Sequence, residues 1–199
     1  MTAWAIIPIR PEGEGKSRLA AVLSAAERTA LAEDMLRHVV AAATQASGIG
    51  RIFLVGPMRR AMPGTVDALS DPGTGLNGAL AAAMQQLSKT ANPPRRVVII
   101  AADLPGLTAL DLEMLCAVPE GAIGIAPDRY GTGTNALSLP FFAAAHLRFK
   151  YGGNSAALHA KEADRLGLAV ETIRSPGLEK DIDEPGDLID APRSRIFGQ

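Results

Sequence analysis

The sequence predicts an α/β fold, a three-layer α/β/α sandwich built around a mostly parallel central sheet. Two observations predict it. Short apolar runs alternate with stretches of helical period, and the clearest run, 97–100, is four β-branched residues with nothing polar among them. Strands that are apolar on both faces are typical of parallel sheets covered by helices on each side. In such sheets ligands bind beyond the carboxyl ends of the strands.

Each predicted strand is a short apolar run that ends at a turn or a helix start. The predicted strands span 3–9, 52–55, 65–69, 97–100, 122–126, 136–139 and 170–173. The predicted helices begin with Ser24, whose capping box with Glu27 precedes a stripe of apolar residues. Thr108 caps a later helix that runs to about residue 117. Further helices are predicted at 76–87, 154–167 and 184–190.

Composition sets bounds on the class of protein. The 199 residues fit one domain, 1–199, and 47% of them are hydrophobic, enough for a full core. The net charge of −1 offers no basic face, so we expect no nucleic-acid partner. The longest uncharged stretch is rich in Gly, Asn, Gln and Thr, and no signal-like segment starts the chain, so we expect no membrane contact and a cytoplasmic location. The single cysteine, Cys116, is interpreted as a core residue rather than a nucleophile.

A cationic loop follows the first strand. The strand stops at Pro8, and Arg10, Lys16 and Arg18 then lie in a short segment that also holds two glycines. Backbone N–H groups and cations can converge on a phosphate in such a loop. The spacing matches neither a Walker A loop nor a dinucleotide-binding fingerprint. The alternative is a solvated surface turn in which glutamates offset the cations.

Two acidic segments could hold a metal ion. Asp103 follows the central strand and precedes Pro105, so it should lie at the ligand-binding edge, where a carboxylate suits a hard cation such as Mg²⁺. The alternative for Asp103 is the cap of a turn. Asp181 and Asp183 point to the same side if their segment is extended, and two such carboxylates can share a metal. The alternative for this segment is ordinary helix entry before Pro185.

Three glycine-rich turns could approach an anionic or flat ligand. Residues 73–78 match G-x-G-x-x-G and precede a helix, but no acidic residue occurs at the expected ribose-binding distance. Asn77 in this turn could face a base edge. Residues 131–135 and 151–155 each place glycines beside hydroxyl or amide groups, and the second opens a helix. Plain loops and an ordinary cap at Asn154 or Ser155 are the alternatives.

Taken in order, these segments resemble the 2-phospho-L-lactate guanylyltransferase family of deazaflavin coenzyme F-420 biosynthesis, within the GT-A/MobA-like nucleotide-diphospho-sugar transferase fold. The resemblance runs from about residue 5 to residue 190. It is carried by six segments: 7–8 with 16–19, 76–80, 102–105, 133–137, 152–155 and 181–185.

The resemblance implies a reaction and a set of site residues. The phosphate of a small phosphorylated acid attacks the α-phosphorus of GTP, and pyrophosphate leaves, with Mg²⁺ as cofactor. Lys16, Arg18 and Asp103 are the implied catalytic residues. The implied nucleotide-binding residues are Pro8, Arg10, Lys16, Ser17, Arg18, Gly75, Leu76, Asn77 and Asp103. The implied acid-binding residues are Thr134, Asn135, Gly152 and Ser155, and the implied metal ligands are Asp103, Asp181 and Asp183.

The sequence leaves the identity of the acid open. The acid is phospholactate, phosphoenolpyruvate or phosphoglycerate, and Asn135, Asn154 and His159 are candidates for contacting its hydroxyl group. Another MobA-like nucleotidyltransferase with a different phosphorylated acceptor is one alternative, and a non-catalytic GTP-binding protein is another. The sequence leaves the oligomeric state open, with a homodimer among the alternatives. A phospholactyl-type transferase is the implied recipient of the product.

Overall fold

A computed structural model describes residues 2–11, 13–59 and 62–188. Seven strands form one sheet in the order β3-β2-β1-β4-β6-β5-β7. Their bounds are β1 Ala3–Pro8, β2 Ile49–Val55, β3 Val66–Leu69, β4 Arg96–Ile100, β5 Ala122–Pro127, β6 Thr134–Pro140 and β7 Ala169–Thr172. Only β6 runs against its neighbours, which confirms the mostly parallel sheet.

In the described part of the chain, six α-helices cover the sheet. They are α1 Ala25–Gln45, α2 Leu76–Leu87, α3 Ala109–Cys116, α4 Phe141–Ala144, α5 Ser155–Arg165 and α6 Pro176–Glu179. The predicted capping box is present, because Ser24 and Glu27 form reciprocal hydrogen bonds at the start of α1. The predicted cap at Thr108 is present too, and it is a second capping box formed with Asp111 at the start of α3. Each box satisfies backbone N–H groups that the first helical turn leaves free.

Side chains of the central strands pack alternately into two apolar layers. On β1, Ala5 and Ile7 face the layer that contains residues of α1 and α3. Trp4 and Ile6 face the opposite layer, which contains residues of α2 and α5. This alternation, a direct result of the period of two along a strand, makes the fold the predicted three-layer sandwich.

The register of the central strands brings three separate segments to one edge of the sheet. Ile6 of β1 pairs with Ile99 of β4, and Ile100 of β4 pairs with Ala136 of the antiparallel β6. The chain after β1, the chain after β4 and the start of β6 therefore meet at the same edge.

The structure extends or shortens several predicted elements. β2 begins at Ile49, and the last predicted helix, 184–190, is a 3-10 helix at Pro185–Leu188, with residues 189 and 190 outside the described part of the chain. A 3-10 helix at Ser17–Ala21, α4 and α6 were not predicted, because elements of four or five residues are too short to show a helical period.

Candidate active site

Three carboxylates converge at the edge where β4 ends. Asp103, Asp181 and Asp183 each offer an oxygen atom, and these atoms lie within 4.8 Å of one another. A backbone bond from the Ile182 N–H to the Asp103 carbonyl, 3.2 Å, joins the two acidic segments. Asp181 and Asp183 thus share one side of their segment, as an extended chain requires. We call these three residues the acidic cluster.

The ammonium group of Lys16 lies against the acidic cluster. Its Nζ is 2.5 Å from Asp103 Oδ2 and 2.9 Å from Asp183 Oδ1, and only 9% of the side chain is exposed. Burial alone would lower the pKa of Lys16, but the charges and hydrogen bonds of Asp103 and Asp183 outweigh it and raise that pKa above its ordinary value. Lys16 therefore carries its positive charge at neutral pH, in contact with two carboxylates of the acidic cluster.

The backbone at Lys16 has an unusual conformation, and its side chain points toward the acidic cluster. Lys16 adopts a left-handed conformation, with φ 52° and ψ 35°, immediately before the 3-10 helix at Ser17–Ala21. Such a conformation is uncommon for a residue with a side chain and persists where the surroundings fix it. Leu19 of that helix is fully buried in a small apolar cluster with Leu31, Met35 and Ile182. This cluster fastens the cationic loop and the Asp181–Asp183 segment to α1.

Arg18 and Arg10 differ from Lys16 in their surroundings. Arg18 is largely exposed, and its guanidinium lies 3.8 Å from Asp183 Oδ2 and 3.7 Å from Glu184 Oε1. Arg10 and Ser17 are exposed, and Pro8 is the last residue of β1. Arg18 therefore lies beside the acidic cluster, and both arginines are exposed to an anionic ligand from solution.

An ion pair outside the cluster holds its carboxyl-terminal segment in place. Asp187 Oδ2 accepts hydrogen bonds from the backbone N–H groups of Asp183 and Glu184, both 2.8 Å, and Asp187 Oδ1 lies 2.5 Å from an Arg129 guanidinium nitrogen. Arg129 also donates to the carbonyl of Asp181, 3.2 Å. Burial would raise the pKa of Asp187, but the two backbone donors and Arg129 together hold it below its ordinary value.

The Asp187→Asn variant is expected to lose about 1–3 kcal/mol of unfolding free energy, since the Arg129 guanidinium and two backbone N–H groups lose a buried anionic acceptor. The pKa of Asp187 is lowered on folding, so its stabilisation is present above the unfolded pKa of about 3.9 and is lost as pH falls through the folded value. Urea unfolding should therefore show a difference in unfolding free energy between wild type and variant that becomes smaller as the pH is lowered from 7 to 3.

The matched control for this prediction is Asp67→Asn, which removes an aspartate from an exposed pair with Arg51 at 2.6 Å. Exposed pairs contribute little, so we expect a change below about 1 kcal/mol at neutral pH. A gap for Asp187→Asn that stays constant down to pH 3 would contradict the assigned role of its carboxylate.

Asn135 serves the acidic cluster. Its buried side-chain amide donates to the Leu178 carbonyl at 2.9 Å and to Asp181 Oδ1 at 3.4 Å. Burial and the neighbouring charge of Asp103 raise the pKa of Asp181, and the Asn135 bond opposes that rise. The structure therefore places Asn135 beside a carboxylate of the cluster, where it orients Asp181.

The glycine turn before α2 is open on its outer side. Gly75 has φ 81°, which favours glycine, and a Cβ added there would meet no atom within 4 Å. Leu76 begins α2 and is 41% exposed. The Asn77 side chain, in contrast, clamps the backbone of Tyr151, since its Oδ1 accepts from the Tyr151 N–H at 2.8 Å and its Nδ2 donates to the Tyr151 carbonyl at 3.0 Å. Asn77 thereby ties the first glycine turn to the third.

Thr134, Ser155 and His159 form a buried polar group where β6 begins. Thr134 begins β6 and Ser155 begins α5, and Ser155 Oγ donates to Thr134 Oγ1 at 3.0 Å. His159 is fully buried, with Nδ1 3.1 Å from Thr134 Oγ1 and Nε2 accepting from the Lys150 N–H at 3.1 Å. Because both ring nitrogens are bonded within the protein, His159 has none left for a ligand.

The turn before α5 completes this side of the site. Gly152 has φ 128°, and Asn154 adopts a left-handed conformation with φ 60° without capping the helix by a side-chain bond. A Cβ at Gly152 would meet no atom within 4 Å. The turn therefore presents accessible backbone beside Thr134 and Ser155.

Among the predicted site residues, hydrogen bonds and ion pairs bring Lys16, Arg18 and Asn135 to the acidic cluster and join Thr134 to Ser155. Arg129 and Asp187 were missed, although Asp187 lies four residues beyond Asp183, a spacing typical of a side chain that caps a turn. Cys116 lies at the end of α3, and burial raises the pKa of its thiol to about 11, so it stays protonated at neutral pH. None of the described helices is both long and apolar enough to span a bilayer.

Solved structures share this architecture. A protein described as a nucleotide-diphospho-sugar transferase from Desulfovibrio desulfuricans G20 matches with a TM-score of 0.74 at 16% identity, covering 100% of this chain and 90% of that one. At this identity the likeness shows the fold, which is that of the nucleotide-diphospho-sugar transferases. Relatives that are guanylyltransferases over most of the chain make it an enzyme of the nucleotidyltransferase class.

The chain belongs to the family of CofC-like guanylyl transferases, whose family model matches residues 3–191. Its relatives include the phosphoenolpyruvate guanylyltransferase of Sphaerobacter thermophilus, 36% identical over 94% of this chain and 91% of that protein. The 2-phospho-L-lactate guanylyltransferase of Halorubrum lacusprofundi is 37% identical over 92% of this chain and 81% of its own length.

Proposed function

We propose that this protein transfers GMP from GTP to a small phosphorylated carboxylic acid and releases pyrophosphate. A phosphate oxygen of the acid forms a bond to the α-phosphorus of GTP, and the bond from that phosphorus to the bridging oxygen of the β-phosphate breaks. The product carries a diphosphate between the acid and guanosine. Family membership supports guanylyl transfer, and the names of the relatives supply the class of acid.

The juxtaposition of the acidic cluster with Lys16 is the observation that carries this proposal. Both reactants are anions, so charges of opposite sign must screen their repulsion before in-line attack. Lys16, together with exposed Arg10 and Arg18, is suited to neutralise the triphosphate.

The donor set fits a hard divalent cation. Three carboxylates with oxygen atoms within 4.8 Å, half-buried and reachable from the sheet edge, match the oxygen ligands that Mg²⁺ takes in phosphoryl-transfer sites. Asp103, Asp181 and Asp183 are the proposed ligands, and bound Mg²⁺ would supply charge neutralisation at the reacting phosphates. Two other residues would orient these ligands without binding the ion. Asn135 orients the Asp181 carboxylate, and Asp187 holds the backbone of Asp183.

The guanine of GTP and the carboxylate of the acid are assigned to separate surfaces of the protein. The open turn at Gly75 and Leu76 is proposed to approach the guanine, and Asn77 holds that turn against Tyr151 rather than facing the base. The backbone at Gly152, with Thr134 and Ser155, is proposed to bind the carboxylate of the acid, because hydroxyl and N–H donors at the start of α5 favour an anion.

A pyrophosphate-release assay tests the function. The four nucleoside triphosphates are crossed with phosphoenolpyruvate, 2-phospho-L-lactate and 3-phospho-D-glycerate, each with Mg²⁺. We expect release with GTP and one or more of the acids, and none without an acid. Release with another triphosphate would favour a different MobA-like nucleotidyltransferase, and GTP binding without release would favour the non-catalytic alternative.

The proposed setting follows from the reaction. The GTP requirement supports a cytoplasmic location, and membership of the CofC-like family supports a place in F-420 biosynthesis. A phospholactyl-type transferase is the proposed recipient of the guanylylated acid.

A further inference from the structure

His159 lies behind the surface proposed to bind the acid, and its protonation pattern is fixed by a backbone group. The Lys150 N–H can only donate, so Nε2 of His159, 3.1 Å away, must carry a lone pair. The hydrogen of the neutral ring is then on Nδ1. Burial lowers the pKa of His159 to about 4 despite the opposing charge of Glu162, so the ring is neutral at physiological pH.

The buried group of His159, Thr134 and Ser155 has more donor hydrogens than its internal hydrogen bonds use. The Nδ1–H of His159, the Thr134 hydroxyl and the Ser155 hydroxyl provide three donor hydrogens. The group contains two internal contacts, His159 to Thr134 at 3.1 Å and Ser155 to Thr134 at 3.0 Å, and each uses one hydrogen. One hydroxyl hydrogen therefore remains for an acceptor outside these three side chains.

The opposite tautomer would reverse this count. With the hydrogen on Nε2, the ring would offer Nδ1 as an acceptor, and the Thr134 and Ser155 hydroxyls would satisfy the two contacts by themselves. The pair would then have no hydrogen left, and the Lys150 N–H would face another N–H group. The tautomer of His159 thus decides whether the Thr134 and Ser155 hydroxyls use all their hydrogens among themselves and the ring, or keep one to donate to a further acceptor.

We propose that His159 is a positioning residue that makes the Thr134–Ser155 hydroxyl pair a net donor to an anionic oxygen of the phosphorylated acid. Thr134 and Ser155 are 8% and 2% exposed, so a remaining hydroxyl hydrogen has little access to bulk water. An anionic oxygen is the acceptor that such a donor binds most strongly. The inference rests on the proposed function, since it assumes that the acid binds at this surface.

The tautomer can be measured without any variant. Protein labelled with ¹⁵N-histidine should show one ring with a protonated Nδ1 and an unprotonated Nε2, unchanged from pH 6 to pH 8. Loss of that signal in His159→Asn assigns it among the three histidines of the chain. A ring protonated on Nε2, or on both nitrogens, would overturn the inference.

Two variants distinguish the effect of the His159 Nδ1–H donor from that of the rest of the imidazole ring. His159→Asn keeps an N–H group at the position of Nδ1, whereas His159→Leu has similar size and no donor, and both lose the Nε2 contact to Lys150. For His159→Leu we expect a rise of about tenfold or more in KM for phosphoenolpyruvate, or for whichever acid the assay selects, with KM for GTP unchanged. His159→Asn should stay within about threefold of wild type.

A double-mutant cycle with Thr134→Val completes the test. If His159 acts only through the hydroxyl pair, adding His159→Leu to Thr134→Val should raise the KM for the acid no further. Additive effects, equal losses in the Leu and Asn variants, or an equal rise in KM for GTP would each contradict the inference. A wild type that releases no pyrophosphate with any acid would instead contradict the proposed function, while the tautomer measurement would still decide the state of His159.

Discussion

Replacing Asp103 with asparagine is expected to slow pyrophosphate release by about a hundredfold or more while the protein stays folded. The change keeps the size of the side chain but removes one of the three negative charges of the acidic cluster and the anion that Lys16 contacts at 2.5 Å. Because 26% of the Asp103 side chain is exposed, the folded state should tolerate the amide, with a shift of a few degrees at most in melting temperature.

Binding measurements show whether Asp103 acts through a metal ion. Titration with Mn²⁺, a stand-in for Mg²⁺, should give an affinity weaker by about tenfold or more in Asp103→Asn than in wild type, since hard cations depend on charged oxygen ligands. Asp164→Asn removes an exposed aspartate on α5 and serves as the control. Turnover within about threefold of wild type in Asp103→Asn would remove Asp103 from the proposed mechanism.

Much of the fold could be predicted from the sequence because its signals are local. The apolar run of β4, the capping box at Ser24 and the helix cap at Thr108 occupy a few adjacent residues each, and the structure confirms all three. The position of Asp103 could be predicted for the same reason, since the carboxyl end of a central strand defines the ligand edge.

Contacts between distant segments could not be predicted in this way. Lys16 meets Asp183 across 167 positions, and Arg129 meets Asp187 across 58. Nothing in either local pattern names the partner, because sheet register and the small apolar cluster around Leu19 set these distances.

The hydrogen-bond partners of buried polar side chains could not be predicted from the sequence either. Asn77 and His159 lie where their polar groups could reach a ligand, but a backbone N–H is the partner that each accepts from, at Tyr151 and at Lys150. Backbone donors are present at every residue except proline, so sequence patterns cannot show which one a buried side chain will satisfy.

Replacing Lys16 with methionine is expected to change the two binding affinities in opposite directions. Methionine keeps the length of the side chain without the charge, so GTP affinity should fall by about tenfold or more through loss of a charge-assisted contact to the triphosphate. In the absence of nucleotide, the affinity for Mn²⁺ should rise by a similar factor. The ammonium group lies within 3 Å of two of the three carboxylates, so it competes with a divalent cation for the same oxygen atoms.

The control for Lys16→Met is Arg18→Met, which removes the same unit charge from a side chain that is 67% exposed and 3.8 Å from Asp183. Solvent screens that charge more strongly, so Mn²⁺ affinity should change much less than in Lys16→Met. Calorimetry of both variants with Mn²⁺ alone, and with GTP in the presence of Mg²⁺, separates direct competition from a general effect of charge. Equal tightening of Mn²⁺ in the two variants, or none in Lys16→Met, would show that the Lys16 ammonium does not compete with the metal. The expected pattern has a mechanistic consequence: a triphosphate that draws Lys16 away from Asp103 and Asp183 also frees their oxygen atoms, so nucleotide and metal should bind more tightly together than apart.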